Sequence, residues 1–458
     1  MIYNNNRGED PMVNELIAEC TDYDVKISLE TKKPKSWLKT VSAFANGIGG
    51  KIFFGVDEDK RIHNITNPQE VIEKITDFID KNITPAPLYK ITPFKEGNEV
   101  FIELLIQPGS STPYYYTHEA TKIAFIRSGS SSVEAPTYIL NELILKGTGK
   151  TYDGLITSFL KKDFSFSILE RDFYERTSSK FTEQDYISFG LATKDGYLTN
   201  AGVLLADSND YRHSRLFCTR WNGYDKTNEN EVDNDKEFDG SLIRQLKLAL
   251  DFFDANTKIG WHKDGDETIY TPDYDKGAIL EALVNGIIHR NYNNTGAEVC
   301  LNIYEDRIEI TSPGIMVSGD PVPQHIDYTF ESMRRNPIIA DVFWKMRYMN
   351  RRGSGLAKIT SATNKLFNDN KNHVNFQIRN SFFVVTIENA NYVDKSFNQL
   401  TERQKRILEI LKIKETTLSN IATIIKADRK TVRTDLKRLE SLKLVSSSGT
   451  TKDKIWKA

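Results

Sequence analysis

Lys276-Gly-Ala-Ile-Leu-Glu-Ala-Leu-Val-Asn-Gly-Ile-Ile-His-Arg290 sets Ile279, Leu280, Leu283, Val284, Ile287 and Ile288 at helical spacing. In such a helix Glu281, Asn285 and His289 follow one another at i, i+4 and i+8 and share a polar stripe. A carboxylate, an amide and an imidazole in line on an otherwise apolar helix mark either a site or merely the wet side of the helix. Outward from it, Glu298-Val-Cys-Leu-Asn-Ile-Tyr304 and Arg307-Ile-Glu-Ile-Thr311 have strand length and composition, and Ser312-Pro-Gly-Ile315 turns the chain. Further on, Arg351-Arg-Gly-Ser-Gly-Leu356 opens another helix. A glycine loop at a helix start offers free N–H groups and a positive dipole end, which suits phosphate.

In its order this set resembles the histidine-kinase/gyrase-type ATPase superfamily, GHKL. It is closest to the branch, often labelled helicase-like, that follows Schlafen-type AlbA domains, and Arg335-Asn-Pro-Ile-Ile-Ala340 adds to the likeness. The resemblance implies an α/β-sandwich that binds ATP with magnesium. Glu281 would position a water as the catalytic group, and Asn285 would hold the metal. His289 would line the pocket, and Gly353, Ser354 and Gly355 would wrap the phosphates. The superfamily reads adenine with an aspartate in an Asp-x-Gly turn, whereas here Ser312-Pro-Gly314 stands in that place. Ser312 and Gly314 are carried over as nucleotide contacts, although a serine binds a base more weakly than a carboxylate does.

Toward the N-terminus, Trp37, Leu38, Val41, Ala43, Phe44 and Ala45 predict a helix over 35–46. Asn46-Gly-Ile-Gly-Gly50 ends it, and Lys51-Ile-Phe-Phe-Gly-Val56 and Val100-Phe-Ile-Glu-Leu-Leu-Ile106 read as strands. Lys35 to Gly50, Phe54-Gly-Val-Asp57 and Ala124-Phe-Ile-Arg-Ser-Gly-Ser130 together resemble the Schlafen-type AlbA domain. That family implies nucleic-acid binding and, in some members, metal-dependent cleavage of RNA or DNA. Asp24-Val-Lys26 falls where the family has Glu-Phe-Lys, with Glu30 downstream. Asp24 and Glu30 are therefore the candidate carboxylates for magnesium or manganese. Beside Lys26, Lys32, Lys33 and Lys35 they read equally as a solvated surface, with the lysines as phosphate contacts. Tyr114-Tyr-Tyr116 offers either stacking faces or half-buried core.

Gly147-Thr-Gly-Lys-Thr151 imitates the end of a phosphate loop. The full motif needs another glycine where Ile144 stands, and a helix rather than a strand precedes it. It reads as a domain boundary. The acidic stretch from Asp225 to Asp239 reads as an exposed loop, and Leu242 to Phe253 as an amphipathic helix.

At the C-terminus, Thr401 to Lys412, Thr417 to Ile425 and Asp428 to Glu440 read as three helices, and Leu444 to Trp456 as strand, turn and strand. The order resembles a winged helix-turn-helix. This implies that Arg429, Lys430, Thr431, Arg433 and Thr434 face bases while Lys437 and Arg438 touch phosphates, with Lys452 and Lys454 on a wing. A winged helix used for protein contacts is the alternative. From Thr401 onward 15 basic residues meet 7 acidic ones, a net charge of +8, whereas the rest of the chain carries −10. A basic tail on an acidic body suits a polyanion partner.

A chain of 458 residues exceeds one core and fits about three domains. The expected architecture is multidomain α+β: a tail (1–11), a Schlafen/AlbA-type α+β domain (12–148), a GHKL-like α/β-sandwich with a helical lead-in (152–395) and a winged helix-turn-helix (398–458). No apolar run approaches the roughly 20 residues of a membrane span. Cys20, Cys218 and Cys300 are scattered and read as reduced, so a cytoplasmic protein with no membrane partner is expected. The expected function is a nucleotide-responsive DNA-binding regulator of transcription, as a homo-oligomer, with ATP and magnesium as cofactors and duplex DNA or RNA as partner. The alternatives are a nucleotide-gated, metal-dependent nuclease of the kind that serves antiviral defence, and a non-catalytic scaffold.

Overall fold

The computed structural model describes residues 22–457 apart from 210, 227–231, 265, 317–321, 323–332, 350–353, 368, 393–399, 442–443 and 449–453. The N-terminal tail, Cys20, Gly353 and Lys452 lie outside the described residues. Among those residues no helix is long and apolar enough to cross a membrane. The chain divides into two compact units, residues 1–388 and 389–458.

The first domain is built on α1 (Lys35–Asn46), which ends where its glycines predicted. Nine of its twelve residues are buried, because two sheets share it. One sheet runs β1 (Tyr23–Lys26), β2 (Gly50–Phe54), β5 (Glu99–Ile106), β4 (Tyr89–Glu96), with β1 and β2 parallel and the rest antiparallel. The other runs β3 (Ile83–Thr84), β6 (Tyr115–His118), β7 (Thr121–Ser128), β8 (Ser131–Glu134), all antiparallel. Helix α2 (Pro68–Asn82) buries Ile75 and Ile79 beside Trp37, whose ring meets Phe54 edge-on at 5.4 Å. Tyr114 and Tyr116 are core, so of the three tyrosines Tyr115 alone is half-exposed, with Lys122 Nζ 4.3 Å above its ring.

A helix buried on all sides must find partners for its polar residues. Ser42 donates to the Tyr114 carbonyl (2.7 Å) and accepts from Phe125 N–H (3.1 Å). Asn46 donates to the Tyr114 and Phe125 carbonyls (2.9 and 3.0 Å) and accepts from Tyr114 N–H (2.7 Å). The two side chains thus stitch the entry to β6 to the middle of β7, which explains polar residues inside an otherwise apolar helix.

Helix α3 (Thr137–Gly147) packs Leu143 against Ala124 and Ala135 and delivers the chain to the next layer. The phosphate-loop lookalike is entered from this helix, as its neighbours predicted. After a short antiparallel pair, β9 (Ile156–Leu160) and β10 (Tyr197–Thr199), helices α4 (Ser167–Thr177), α5 (Glu183–Ser188) and α6 (Asn200–Leu205) join the core of the middle domain. Its six-stranded sheet runs β12 (Val232–Phe238), β11 (Leu216–Trp221), β15 (Val299–Ile303), β16 (Arg307–Pro313), β18 (Phe382–Glu388), β17 (Val374–Arg379). Only β11 and β15 are parallel. Helices α7 (Leu242–Asn256) and α8 (Lys276–Ile288) cover one face, and β13 (Ile259–Asp264) and β14 (Glu267–Pro272) form a separate ribbon between them in sequence. The acidic stretch expected as a loop contains the edge strand β12. Its carboxylates find partners on and beside β11, Glu237 with Arg215 and Asp235 with Thr219. Helices α9 (Pro337–Lys345) and α10 (Gly355–Asn364) complete the domain.

The second unit holds α11 (Glu402–Ile413), β19 (Thr416–Thr417), α12 (Leu418–Ile425), α13 (Arg429–Ser441), β20 (Ser446–Ser448) and β21 (Ile455–Lys457). β21 is the central strand, antiparallel to both β19 and β20. Thr401 and Gln404 form a capping box, and Val432, Leu436 and Leu439 face Ile407, Ile421 and Trp456 inside.

Removing the Asn46 amide strands the buried Tyr114 N–H and takes a donor from the Phe125 carbonyl, while the Tyr114 carbonyl keeps Ser42. Asn46→Ala is expected to destabilise the first domain by about 3 kcal/mol, since each unsatisfied buried group costs about 1–3 kcal/mol. Urea unfolding followed by amide exchange in residues 35–128 checks this; an unchanged midpoint there contradicts the stitching role.

Candidate functional site

The end of α8 lies inside the protein, where its last carbonyls have no helical partner. Five consecutive carbonyls are each taken by a side chain. Ser312 Oγ donates to Gly286 O (2.7 Å) and Tyr292 OH to Ile287 O (3.1 Å). Asn336 Nδ2 serves both Ile288 O and Arg290 O (2.9 and 2.8 Å), and Arg335 Nη1 serves His289 O (2.6 Å). Arg335 also donates through Nη2 to Ile315 O (2.9 Å), so the turn after β16 is tied to the end of α8. Asn291 N–H adds a bond to Pro313 O (2.7 Å), and Gly314 N–H bonds Ser381 O (3.0 Å). Gly314 has φ +124°, and a Cβ there would sit 2.8 Å from Arg335 Nη1. Glycine is what this turn admits.

Asp153, fully buried in the turn after α3, completes the frame. Its Oδ2 accepts from Ile338 and Ile339 N–H (2.7 and 3.2 Å), so it caps α9. Burial raises its pKa, opposed by the Thr151 hydroxyl and by those N–H groups.

On the other side of α8, Glu281 and Asn285 are half-buried. Neither side chain makes a hydrogen bond among the described residues. Both meet the first residue of α10: a Cβ on Gly355 would lie 2.7 Å from Glu281 Oε1 and 3.0 Å from Asn285 Nδ2. A residue some 70 positions downstream therefore meets two neighbours on one stripe of α8, and without a side chain at Gly355 the helix start comes directly against both polar groups. Burial raises the Glu281 pKa, and the Lys358 ammonium on α10 opposes the shift. A carboxyl with a raised pKa, set at the positive end of a helix, is suited to accept a proton or orient a water.

The remaining expected residues fall differently. His289 ends α8, and burial with Arg335 and Arg334 nearby pushes its pKa down to about 4, so it is neutral at pH 7. Ser312 is buried and its proton is committed to Gly286 O. An aspartate there would set a carboxylate against that carbonyl, which gives a physical reason for serine. Gly314 stands at the turn clamped by Arg335, Ser354 occupies the N-cap position of α10 without a side-chain capping bond, and Gly353 lies outside the described residues.

In the first domain Asp24 is buried, with Oδ1 2.5 Å from Lys26 Nζ and Oδ2 accepting from Thr40 Oγ1 (2.9 Å). Glu30 is exposed and accepts from the N–H groups of Lys32 and Lys33 (2.8 and 3.1 Å), which hold its pKa down. Both carboxylates are engaged by the fold, and among the described residues no three His, Cys, Asp or Glu side chains gather as metal ligands. This donor set does not fit a divalent metal centre. The middle-domain pair does fit a magnesium–nucleotide: a carboxylate and an amide with no hydrogen bond among the described residues, and a helix start without a side chain between them.

In the second unit Arg429, Lys430, Arg433, Thr434, Lys437 and Arg438 are exposed along α13 and Thr431 is half-exposed. Among the charged residues of α13 whose side chains are described, Asp435 is the buried one, held by Arg403 Nε (2.6 Å) and Gln404 Nε2 (2.9 Å) of α11. Sequence reasoning missed Glu142, Asn291, Asp153 and the capping roles of Arg335 and Asn336. Of these, only the Arg335-Asn-Pro motif left a local signal.

Two family models match parts of the chain. Residues 19–136 match "Schlafen, AlbA_2", and residues 296–387 match "Putative ATP-dependent DNA helicase recG C-terminal". No curated protein matches the chain. Among solved structures, it is similar at 16% identity to the DIP2311 protein of Corynebacterium diphtheriae, over 95% of this chain and 91% of that one, with a TM-score of 0.44. It is also similar at 19% identity to the N-terminal domain of a putative ATP-dependent DNA helicase RecG-related protein from Nitrosomonas europaea, over 25% of this chain and 82% of that one, with a TM-score of 0.21. The chain thus carries a Schlafen AlbA_2 domain followed by a RecG-like C-terminal domain, and the pairing suggests a nucleic-acid-associated, ATP-binding protein.

Proposed function

We propose that this chain is a nucleotide-responsive DNA-binding regulator whose middle domain takes ATP with magnesium. The observation that carries this reading is the convergence of Glu281 and Asn285, which make no side-chain hydrogen bond among the described residues, on Gly355 at the opening of α10. Asn285 would hold the magnesium, which supplies positive charge beside the phosphates. The start of α10, with Ser354, offers N–H groups to the phosphates. Glu281 orients a water or holds a proton, and the neutral His289 lines the pocket without adding charge. The nuclease reading has no such support, because Asp24 and Glu30 are occupied elsewhere.

For the second unit we propose a winged helix that enters the major groove with α13. The order of three helices, with β19 after the first and a hairpin after the third, supports it, and so does the exposure of the basic residues on α13. Arg429, Lys430, Thr431, Arg433 and Thr434 would face base edges, and Lys437 and Arg438 phosphates.

Asn285→Ala is expected to abolish magnesium-dependent ATP binding in calorimetry, and unchanged binding contradicts the assignment. Glu281→Gln is expected to retain ATP and to lose any turnover. Because a base acts ionised and burial raises this carboxyl, wild-type turnover should rise with pH on a limb above the usual carboxylate range. A rate that Glu281→Gln leaves intact refutes that role. In the second unit, Arg433→Ala is expected to weaken duplex binding and lower the salt slope by about 1. An unchanged slope in a salt titration points instead to protein contacts.

A further inference from the structure

Glu142 belongs to the first domain, on α3, yet its carboxylate closes the frame around the Gly314 turn. Arg335 Nε donates to Oε1 and Asn291 Nδ2 donates to Oε2, both at 2.7 Å. Those two donors belong to residues 193 and 149 positions away and are the ones that hold the turn. Through its other nitrogens Arg335 grips His289 O and Ile315 O, and Asn291 grips Pro313 O through its backbone. The Arg335 side chain is 8% exposed, so this is a nearly dry, charge-assisted link.

At its other side α3 is anchored to the first domain. Leu143 packs on Ala124 of β7, and the Leu143 carbonyl accepts from Thr112 Oγ1 at 2.8 Å. An unbroken set of packed and hydrogen-bonded groups therefore runs from β7 through Glu142 and Arg335 to the end of the helix that bears Glu281 and Asn285.

We infer that Glu142 is a positioning residue through which the first domain and the nucleotide site sense each other's state. The inference rests on the nucleotide reading above. Nucleotide at Glu281 and Asn285 bears on α8 and the Gly314 turn, and Arg335 and Asn291 pass that constraint to α3. By linkage, disturbing the first-domain end weakens nucleotide by the same coupling.

The test uses the full chain, ATP with magnesium, amide exchange and calorimetry. In the wild type, nucleotide is expected to slow exchange in residues 276–291 and also in 137–147. In Glu142→Ala, affinity is expected to fall about fivefold or more, the usual scale of such coupling. Protection of 137–147 should disappear while that of 276–291 persists. Should the alanine variant fold poorly, Glu142→Gln keeps the side-chain volume but turns a donor toward Asn291 Nδ2. The double variant E142Q/N291D exchanges donor and acceptor across that contact and is expected to restore both readouts, which a general loss of packing does not predict. Protection of 276–291 without 137–147 in the wild type overturns the inference, as does unaltered affinity and protection in Glu142→Ala. Absence of protection at 276–291 in the wild type overturns the nucleotide reading itself, and the inference with it.

Discussion

A helix that ends inside a protein must dispose of its last carbonyls, and the middle domain is organised around that requirement. Ser312 from β16, Tyr292 from the next turn, and Arg335 and Asn336 from the approach to α9 each contribute donors to carbonyls 286–290. Burying those five acceptors unpaired would cost about as much as the net stability of a typical domain. The order of donors therefore sets where β16, the Gly314 turn and α9 stand relative to α8. With its C-terminal end fixed, the helix can present Glu281 and Asn285 to the start of α10 without hydrogen bonds of their own among the described residues.

That division of labour explains which polar residues are satisfied and which are left open. Asn46, Asp24, Asp153 and the Nδ2 of Asn336 have partners because they serve the fold. Glu281 and Asn285 have none among the described residues, although burial already disfavours the charged form of Glu281. Open polar groups in a half-buried position are retained at a cost to stability, and binding is the usual compensation.

Much of this is legible in the sequence. Helix α1 is found over 35–46 as its apolar spacing required, and Glu281 and Asn285 share a stripe because period alone dictates it. The convergence of Gly355 on that stripe followed only from a family likeness, since nothing local joins residues 74 positions apart. Ser312 illustrates a different limit. As a departure from Asp-x-Gly it read as a weakened base contact, whereas its neighbour Gly286 O shows a need for a donor. Glu142 left no trace, being an ordinary acid on an ordinary amphipathic helix until Arg335 is brought to it. The edge strand β12 was misread because Asp and Asn suggest loops, and pairing with β11 overrode that local preference. β19, two residues long, is below the length at which pattern carries meaning.

The same edge strand bears on how copies of this protein can meet. An open sheet edge exposes unpaired N–H and C=O groups that invite another chain to add itself. Asp233, Asp235 and Glu237 alternate along β12, so a second β12 approaching in register would crowd six carboxylates onto one seam. Such repulsion guards this border against fibrous stacking in a crowded cell, where a flat apolar strand would be a hazard.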